Sequence, residues 1–178
     1  MLTSFLTNLE TKTLQSDFVV TVAEEVNAPM NFPGTITMCG QKFKVTMFNM
    51  NAAYDGKTMY VYSPETDELT LTNPTEQELI ETNPFLYART LIDVCNITER
   101  ATQDGKETVI TLTPKDQSIG INRFTLRVRN ADLMPLSAEI KEGKKTSSLK
   151  MKEPKFVNVK QEYIITPDKE TYINDMRF

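Results

Sequence analysis

The segment "AAYDGKTMYVYSPETDEL" (Ala52–Leu69) carries the local signals that decide the fold. Asp55-Gly56 is a dipeptide typical of hairpin turns, and the large residues after it alternate as in a β-strand that Pro64 ends. The acidic residues of this segment also raise the alternative of paired carboxylates in a hydrolase. A turn aspartate followed by a solvated acidic loop explains the same residues without any chemistry. We therefore interpret the segment as scaffold.

The strand after this turn leaves one question open. Met59 and Val61 lie on one of its faces, and Tyr60 and Tyr62 lie on the other. All four side chains are large and partly apolar, so the pattern does not decide which pair faces the core. We expect one of these two pairs to line an inner surface of the protein.

Segments on both sides continue the β pattern. Residues 35–47 alternate apolar and polar residues around a turn at Gly40, which predicts a hairpin with one apolar face. Residues 16–26 predict a strand, and "APMNFPG" (residues 28–34), with two prolines and a glycine, predicts an interruption after it. Five segments after Cys95 are separated by turn-forming residues, so they predict antiparallel neighbours, and the tail adds one or two strands.

Two segments depart from this pattern. Residues 1–15 hold apolar residues at helical spacing, which predicts a short amphipathic helix. In residues 74–94, Thr75 and Glu78 form a capping-box pattern, and Asn83-Pro84 begins a second helix. We therefore predict one helix at the start of the chain and a helical insertion near its middle.

The fold class follows from the number of these elements. A chain of 178 residues is long enough for one core, so we expect residues 1–178 to form a single domain. The 24 Thr, nine Phe and six Tyr favour strands. Two helical segments cannot cover a sheet of about ten strands. We therefore predict a mainly β fold with an α lid: an unclosed antiparallel β half-barrel covered by short helices.

Several classes of function are excluded or disfavoured by composition. The net charge of −4 and the lack of a basic stripe argue against nucleic-acid binding. The chain has no His, which excludes Ser-His and Cys-His catalysis and removes the usual zinc and copper ligand sets. Phosphate-binding glycine loops are also missing from a chain with six Gly. We expect neither enzymatic activity nor a metal site.

The two cysteines and the start of the chain give weaker indications. Cys39 and Cys95 lie among apolar or strand-like neighbours, which favours buried free thiols over a disulfide, although their pairing stays open. Met1 opens on an amphipathic pattern, so we expect no signal peptide in the printed sequence. No apolar run approaches the roughly 20 residues of a transmembrane helix, so we expect a soluble protein.

Methionine is unusually frequent, at nine residues, and several fall in the first strands. Methionine side chains adapt to irregular apolar space, so a wall rich in them suits a cavity for flexible chains. Ordinary core filling explains the same count equally well. The excess of apolar strand faces over covering helices favours the cavity.

The order of these segments resembles that of the LolA family of periplasmic outer-membrane lipoprotein carriers. "DGKTMYVYSP" (residues 55–64) is similar to the family's D-G-K-x-h-W/Y-x-Y-x-P segment, where h is apolar. Asn83-Pro84-Phe85, with the helix after it, is similar to the family's mid-chain lid helix. "VITLTPK" (109–115), "RFTLRV" (123–128) and "YINDMR" (172–177) follow in the expected order.

The resemblance implies a fold, a location and partners. Members have an unclosed β-barrel lidded by helices, with an apolar cavity for the acyl chains of lipoproteins. They use no cofactor, accept lipoproteins from an inner-membrane ABC transporter and deliver them to the outer membrane, in some cases to an acceptor there. We accordingly expect a periplasmic, monomeric lipoprotein carrier. A lipid- or lipoprotein-sensing regulatory domain on the same fold is the alternative, because relatives with that role share the architecture.

One departure bears on the lid. The family often carries an Arg-Pro pair after its second strand, where the Arg helps to hold the lid, and this chain has Cys39 and Gly40 there. We expect the acyl-chain cavity to be lined by Phe18, Val20, Val22, Ile36, Met38, Phe43, Val45, Met47, Met59 and Val61. We expect the lid contacts to come from Leu2, Phe5, Leu6, Leu9, Phe85, Leu86 and Leu91.

Overall fold

A computed structural model of the chain describes residues 1–48, 50–158 and 161–177, and it describes their side chains except at positions 77, 80, 81, 86 and 117. The elements in chain order are α1 (Leu2–Thr11), β1 (Thr13–Glu24), β2 (Asn27–Cys39), β3 (Lys42–Met47), β4 (Met50–Tyr54), β5 (Met59–Ser63), β6 (Glu68–Thr72), α2 (Glu76–Thr82), α3 (Pro84–Thr90), β7 (Cys95–Ala101), β8 (Glu107–Pro114), a 3-10 helix (Gln117–Ile119), β9 (Arg123–Arg129), β10 (Met134–Glu142), β11 (Lys145–Val157) and β12 (Tyr172–Asp175).

All strands in the described part of the chain belong to one sheet with the order β12-β6-β5-β4-β3-β2-β1-β11-β10-β9-β8-β7. Neighbouring strands are antiparallel except for β12, which runs parallel to β6. The two ends of the sheet, β12 and β7, do not pair with each other, so the sheet is unclosed. The predicted fold class, a mainly antiparallel half-barrel with short helices, is confirmed, and the described residues form twelve strands rather than about ten.

The helix boundaries are set by the predicted capping residues. The Thr75 N–H donates to Glu78 Oε2 at 2.7 Å, and the Glu78 N–H donates to Thr75 Oγ1 at 3.3 Å, which completes a capping box at the start of α2. Asn83 Oδ1 accepts the Phe85 N–H at 3.0 Å where α3 begins with Pro84. Among the described residues, no helix is long and apolar enough to cross a membrane.

The predicted interruption at residues 28–34 is wrong, because β2 runs through both prolines as part of a long hairpin with β1. Strand β3 pairs with β2 only from Gly34 onward, so Pro29 and Pro33 lie where β2 has a neighbour on one side alone. Proline is tolerated on such an edge because its missing N–H faces no partner strand. The turn that reverses the chain lies instead at Glu25 and Val26.

Alternation along the strands divides the sheet into two faces. The inner face carries the main core and the helices, and a row of cross-strand pairs, Met38–Phe43–Tyr54–Met59, crosses it. Met59 and Val61 therefore point inward. Tyr60 and Tyr62 point to the outer face, where a small second group of buried residues contains Ala53, Leu69 and Leu71.

Candidate functional site

The inner face changes along its strands from fully covered to open. At one end, which we call the covered end, Leu14, Met38, Phe43, Tyr54 and Met59 are buried under the helices. At the opposite end, which we call the open end, the inner-facing residues of the same strands are partly exposed or exposed, apart from Ser16, Phe18 and Ala52. The gradient arises because α1 leads directly into β1 and so lies over one end only.

Helices α1 and α3 close the covered end by packing on each other and on the sheet. The rings of Phe5 and Phe85 meet edge to face, with centroids 6.0 Å apart. Tyr87 of α3 meets Phe124 of β9 in the same geometry at 5.9 Å. Six predicted lid residues are buried in this core, and the side chain of the seventh, Leu86, lies outside the described residues. The six are Leu2, Phe5, Leu6, Leu9, Phe85 and Leu91.

Side chains fill most of the covered end. A cavity of about 30 Å³ lies between α1, α3 and the β2–β3 turn, with Leu6, Leu9, Met38 and Phe85 in its wall. That volume holds about one water molecule, whereas pockets for ligands of moderate size hold roughly 300–1,000 Å³. This cavity is therefore too small for an acyl chain while α1 and α3 stay in place.

Polar contacts fasten α1 at both ends. At its C-terminal end the Gly40 N–H donates to the Leu9 carbonyl at 2.8 Å, and Glu10 forms an ion pair with Arg89 of α3. At its N-terminal end the Leu2 N–H donates to Glu99 Oε1 at 2.9 Å. Cys39 and Gly40 stand where the sequence resemblance places an Arg-Pro pair. In this structure the Gly40 N–H and the Arg89 guanidinium contact the C-terminal end of α1.

The open end is an apolar surface. It is built by six predicted cavity residues, Val20, Val22, Ile36, Val45, Met47 and Val61, together with Met30, Phe32 and Met50. We call these nine residues the open-end patch. They lie side by side on β1 to β5, so the patch is continuous with the core of the covered end.

Large apolar side chains also project from the margin of this patch. Val26, Phe48, Met30 and Met50 are 92%, 78%, 53% and 36% exposed, respectively. Phe48, in the β3–β4 turn, packs against Phe32 with ring centroids 6.5 Å apart. Exposed apolar groups gathered at one place, rather than scattered singly, indicate a surface that meets another apolar body.

All ten predicted cavity residues lie on the inner face. Three of them, Met38, Phe43 and Met59, are buried at the covered end, and six belong to the open-end patch. Phe18 is buried beside the patch, where it lies across from Gly34 in the same row as Met47. Whether they contact an acyl chain stays a prediction. Sequence reasoning missed Met30 and Phe32 because the neighbouring prolines suggested a break, and the continued alternation of Met30, Phe32 and Gly34 could have revealed the strand.

Asp55 lies at a turn and has a structural role. Its Oδ1 accepts the N–H groups of Lys57 and Thr58, both at 2.8 Å, and its Oδ2 accepts the Tyr60 hydroxyl at 3.1 Å. Burial acts to raise the pKa of Asp55, but these hydrogen bonds outweigh it and hold the pKa below its usual value. An ionised carboxylate that accepts three hydrogen bonds is suited to shape a turn rather than to transfer protons.

In the described part of the chain, the cysteines and the acidic residues form no second candidate site for catalysis or metal binding. Cys39 is half-buried and Cys95 buried, and both are free thiols. Burial raises the pKa of Cys95, which keeps its thiol protonated and unreactive. Among the residues that the structure describes, no cluster of three or more Cys, Asp or Glu side chains is placed to hold a metal ion.

Comparisons with known proteins agree with this architecture. No family model and no curated protein matches the sequence. An uncharacterized conserved protein from Thermus thermophilus matches the fold over 98% of this chain and 96% of its own, with a TM-score of 0.64 and 14% identity. The chain has a LolA-like fold.

Two further solved structures belong to this comparison. The MucA/MucB complex of Pseudomonas aeruginosa is similar over 90% of this chain and 59% of that chain, with a TM-score of 0.51 and 14% identity. A LolA superfamily protein from Nitrosomonas europaea aligns over 89% of this chain and 94% of its own, with a TM-score of 0.43 and 12% identity. At such identities, likeness concerns the fold alone.

Proposed function

We propose that this protein binds the acyl chains of lipids or lipoproteins on the inner face of its half-barrel, and that it acts as a periplasmic carrier of lipoproteins between the inner and outer membranes. In this role it shields acyl chains without catalysing a reaction. An inner-membrane lipoprotein-releasing ABC transporter supplies the cargo, and the outer membrane receives it.

The open-end patch is the observation that carries the proposal. The nine apolar residues of the open-end patch lie on five adjacent strands and are partly exposed or exposed, and Val26 and Phe48 add two more exposed apolar side chains at its margin. A monomeric protein rarely exposes such a surface without a partner. The open-end patch is lined by aliphatic and thioether side chains, and one aromatic ring, which match the flexible methylene chain of an acyl group.

The energetics allow binding in two stages. Each buried methylene contributes about 0.8 kcal/mol, so about six methylenes on the open-end patch supply about 5 kcal/mol before costs. The rest of an acyl chain requires space that the closed covered end does not have. Movement of α1 and α3 would supply that space, and their return would expel the chain toward the open end, which gives a route to release.

Binding is tested with the purified full chain and a fluorescent C16 fatty-acid probe. Met47→Gln, on the patch, should weaken probe binding by about tenfold, because it places an amide against the acyl chain. Thr46→Gln is the matched control: it is adjacent in sequence but faces the outer side and should leave binding unchanged. Equal binding by both variants, or no binding by the wild type, would overturn the proposal.

Carrier and sensor are separated by what the protein holds in cells. Crosslinking in the periplasm followed by purification should recover many different acylated lipoproteins if the protein is a carrier. Recovery of one non-acylated protein would favour the alternative, a lipid-sensing regulatory domain. Native mass spectrometry of the purified protein provides an independent measurement, because a carrier should retain lipid or acyl species in a fraction of molecules.

A further inference from the structure

The last strand of the chain is attached to the sheet differently from the others. β12 is four residues long and, among the described strands, it alone pairs in parallel. It pairs with β6, whereas β11, the preceding strand in the chain, is separated from β6 by five strands of the sheet. No short turn therefore joins β12 to β6, and β12 pairs with this edge as a separate peptide would.

Backbone hydrogen bonds hold β12 in place. The Tyr172 N–H donates to the Asp67 carbonyl at 3.0 Å, and the Met176 N–H donates to the Leu71 carbonyl at 2.8 Å. In a parallel ladder the donors alternate, so the Asn174 N–H also faces β6, whereas the Ile173 N–H faces away from it.

Polar side chains supply most of the remaining contacts. Asp67 Oδ1 accepts the Thr171 hydroxyl at 2.9 Å, and Asn174 Nδ2 donates to Glu68 Oε1 at 3.1 Å. Asp67 has a φ of +47°, and this turn conformation presents its carbonyl and its carboxylate to the same incoming segment. The edge of β6 is therefore equipped with side-chain acceptors as well as with its backbone groups.

Few apolar contacts support these bonds. Tyr172, Ile173 and Met176 are 65%, 50% and 42% exposed, whereas Leu69 and Leu71 of β6 are buried. Releasing β12 would therefore return little apolar surface of its own side chains to water. What it would leave behind is a free strand edge, and such edges readily pair with another extended chain.

We propose that the edge of β6 is a strand-docking site, occupied here by the chain's own Tyr172–Asp175, and that an extended segment of a partner protein binds there in its place. The docked segment runs parallel to β6 and is recognised through its backbone, as in other β-augmentation complexes. The tethered segment acts as a competitor at high effective concentration, so a partner gains access only by outcompeting it or when it is displaced.

The test uses the full chain and a labelled peptide with the sequence of residues 168–177, DKETYINDMR. Asn174→Pro in the full chain removes a donor to β6 and should weaken the tethered strand. Ile173→Pro is the matched control, because that N–H faces away from β6. By fluorescence anisotropy, the Asn174→Pro chain should bind the peptide at least tenfold more tightly than the wild type or the Ile173→Pro chain.

Each other outcome decides against the proposal. Equal binding by both variants, or binding of a peptide that itself carries Asn174→Pro, would show that the edge does not recognise an extended backbone. A wild-type chain that is dimeric in solution, and becomes monomeric with Asn174→Pro, would assign the edge to a second copy instead. Amide exchange in the wild type is an independent test that needs no variant. The Tyr172 and Met176 amides should exchange at least tenfold faster than those of β5, and equal protection would overturn the proposal.

Discussion

The covered and open ends of the inner face are built from the same strands, yet they differ in almost every physical respect. Met38 and Met47 lie on adjacent strands of the same face, but Met38 is buried beneath α1 whereas Met47 is partly exposed. The strand alternation is the same at both ends. Burial therefore depends on where the helices lie as well as on the strand pattern, so one end contributes more to stability and the other leaves apolar side chains at the surface.

The largest expected effect comes from truncating one methionine at each end. Met38→Ala should lower the free energy of unfolding by about 2–5 kcal/mol, because it leaves a cavity in a closed core. Met47→Ala should cost less than about 1 kcal/mol, because its surroundings are already partly solvated. Urea denaturation of both variants measures the difference. Similar losses for the two would remove the distinction between the ends.

Gly34 lies within the open end, across from Phe18 and Met47, and its substitution should have the next largest effect. A Cβ at this position would lie 2.6 Å from Phe18 Cζ and 2.6 Å from the Thr46 carbonyl oxygen. Gly34→Ala should therefore destabilise the protein by about 1–3 kcal/mol, as overpacking does. Phe18→Leu in the same chain removes only the ring contact and should relieve part of that cost. Full additivity of the two substitutions in urea denaturation would contradict this account.

The covered end was largely predictable because local signals determine it. The apolar spacing of α1, the capping box before α2 and Asn83-Pro84 before α3 each act over a few residues, and each specifies its own element. The cavity of about 30 Å³ was not predictable. Whether side chains fill a space depends on how close α1 and α3 approach the sheet, and that distance is a property of the whole fold.

The open end and the β6 edge were less predictable because they depend on distant neighbours. Pro29 and Pro33 suggested a break, but β3 is too short to pair beside them, and nothing in the local sequence gives that length. Tyr60 and Tyr62 could not be assigned to the outer face from alternation alone. The tail was predicted to add one or two strands, and it adds one. Its parallel pairing joins residues more than 100 positions apart.

A smaller effect on stability is expected from removing the contact between the start of α1 and Glu99 of β7. The hydrogen bond from the Leu2 N–H holds the pKa of Glu99 below its ordinary value of 4.5. Because the pKa is lower in the folded state, the carboxylate stabilises the fold above that value, and the contribution is lost as the pH falls through the folded pKa.

Glu99→Gln should therefore cost about 0.5–1 kcal/mol at pH 7, reduced by the partial exposure of the side chain. Once the pH is below the folded pKa of Glu99, the variant and the wild type should unfold at the same urea concentration. Thr98→Ala, next in sequence and pointing to the other face of β7, is the control. A cost that persists unchanged at low pH would show that the carboxylate's charge is not what holds the helix.

The smallest expected effect on global stability concerns the ion pair between Glu10 and Arg89. Both side chains are well exposed, so Arg89→Gln should change the free energy of unfolding by no more than about 0.5 kcal/mol. The pair joins α1 to α3, however, so it opposes local opening of the covered end. A coupling of up to about 0.5 kcal/mol corresponds to an amide exchange in α3 that is at most about twofold faster, with no change in β9 amides that exchange by fluctuations in which the pair stays formed. The double variant with Glu10→Gln should exchange no faster than Arg89→Gln alone, because each substitution already removes the whole interaction. Uniform acceleration across the sheet would instead mean that the pair stabilises the entire fold, and the covered end would then not open as a separate unit.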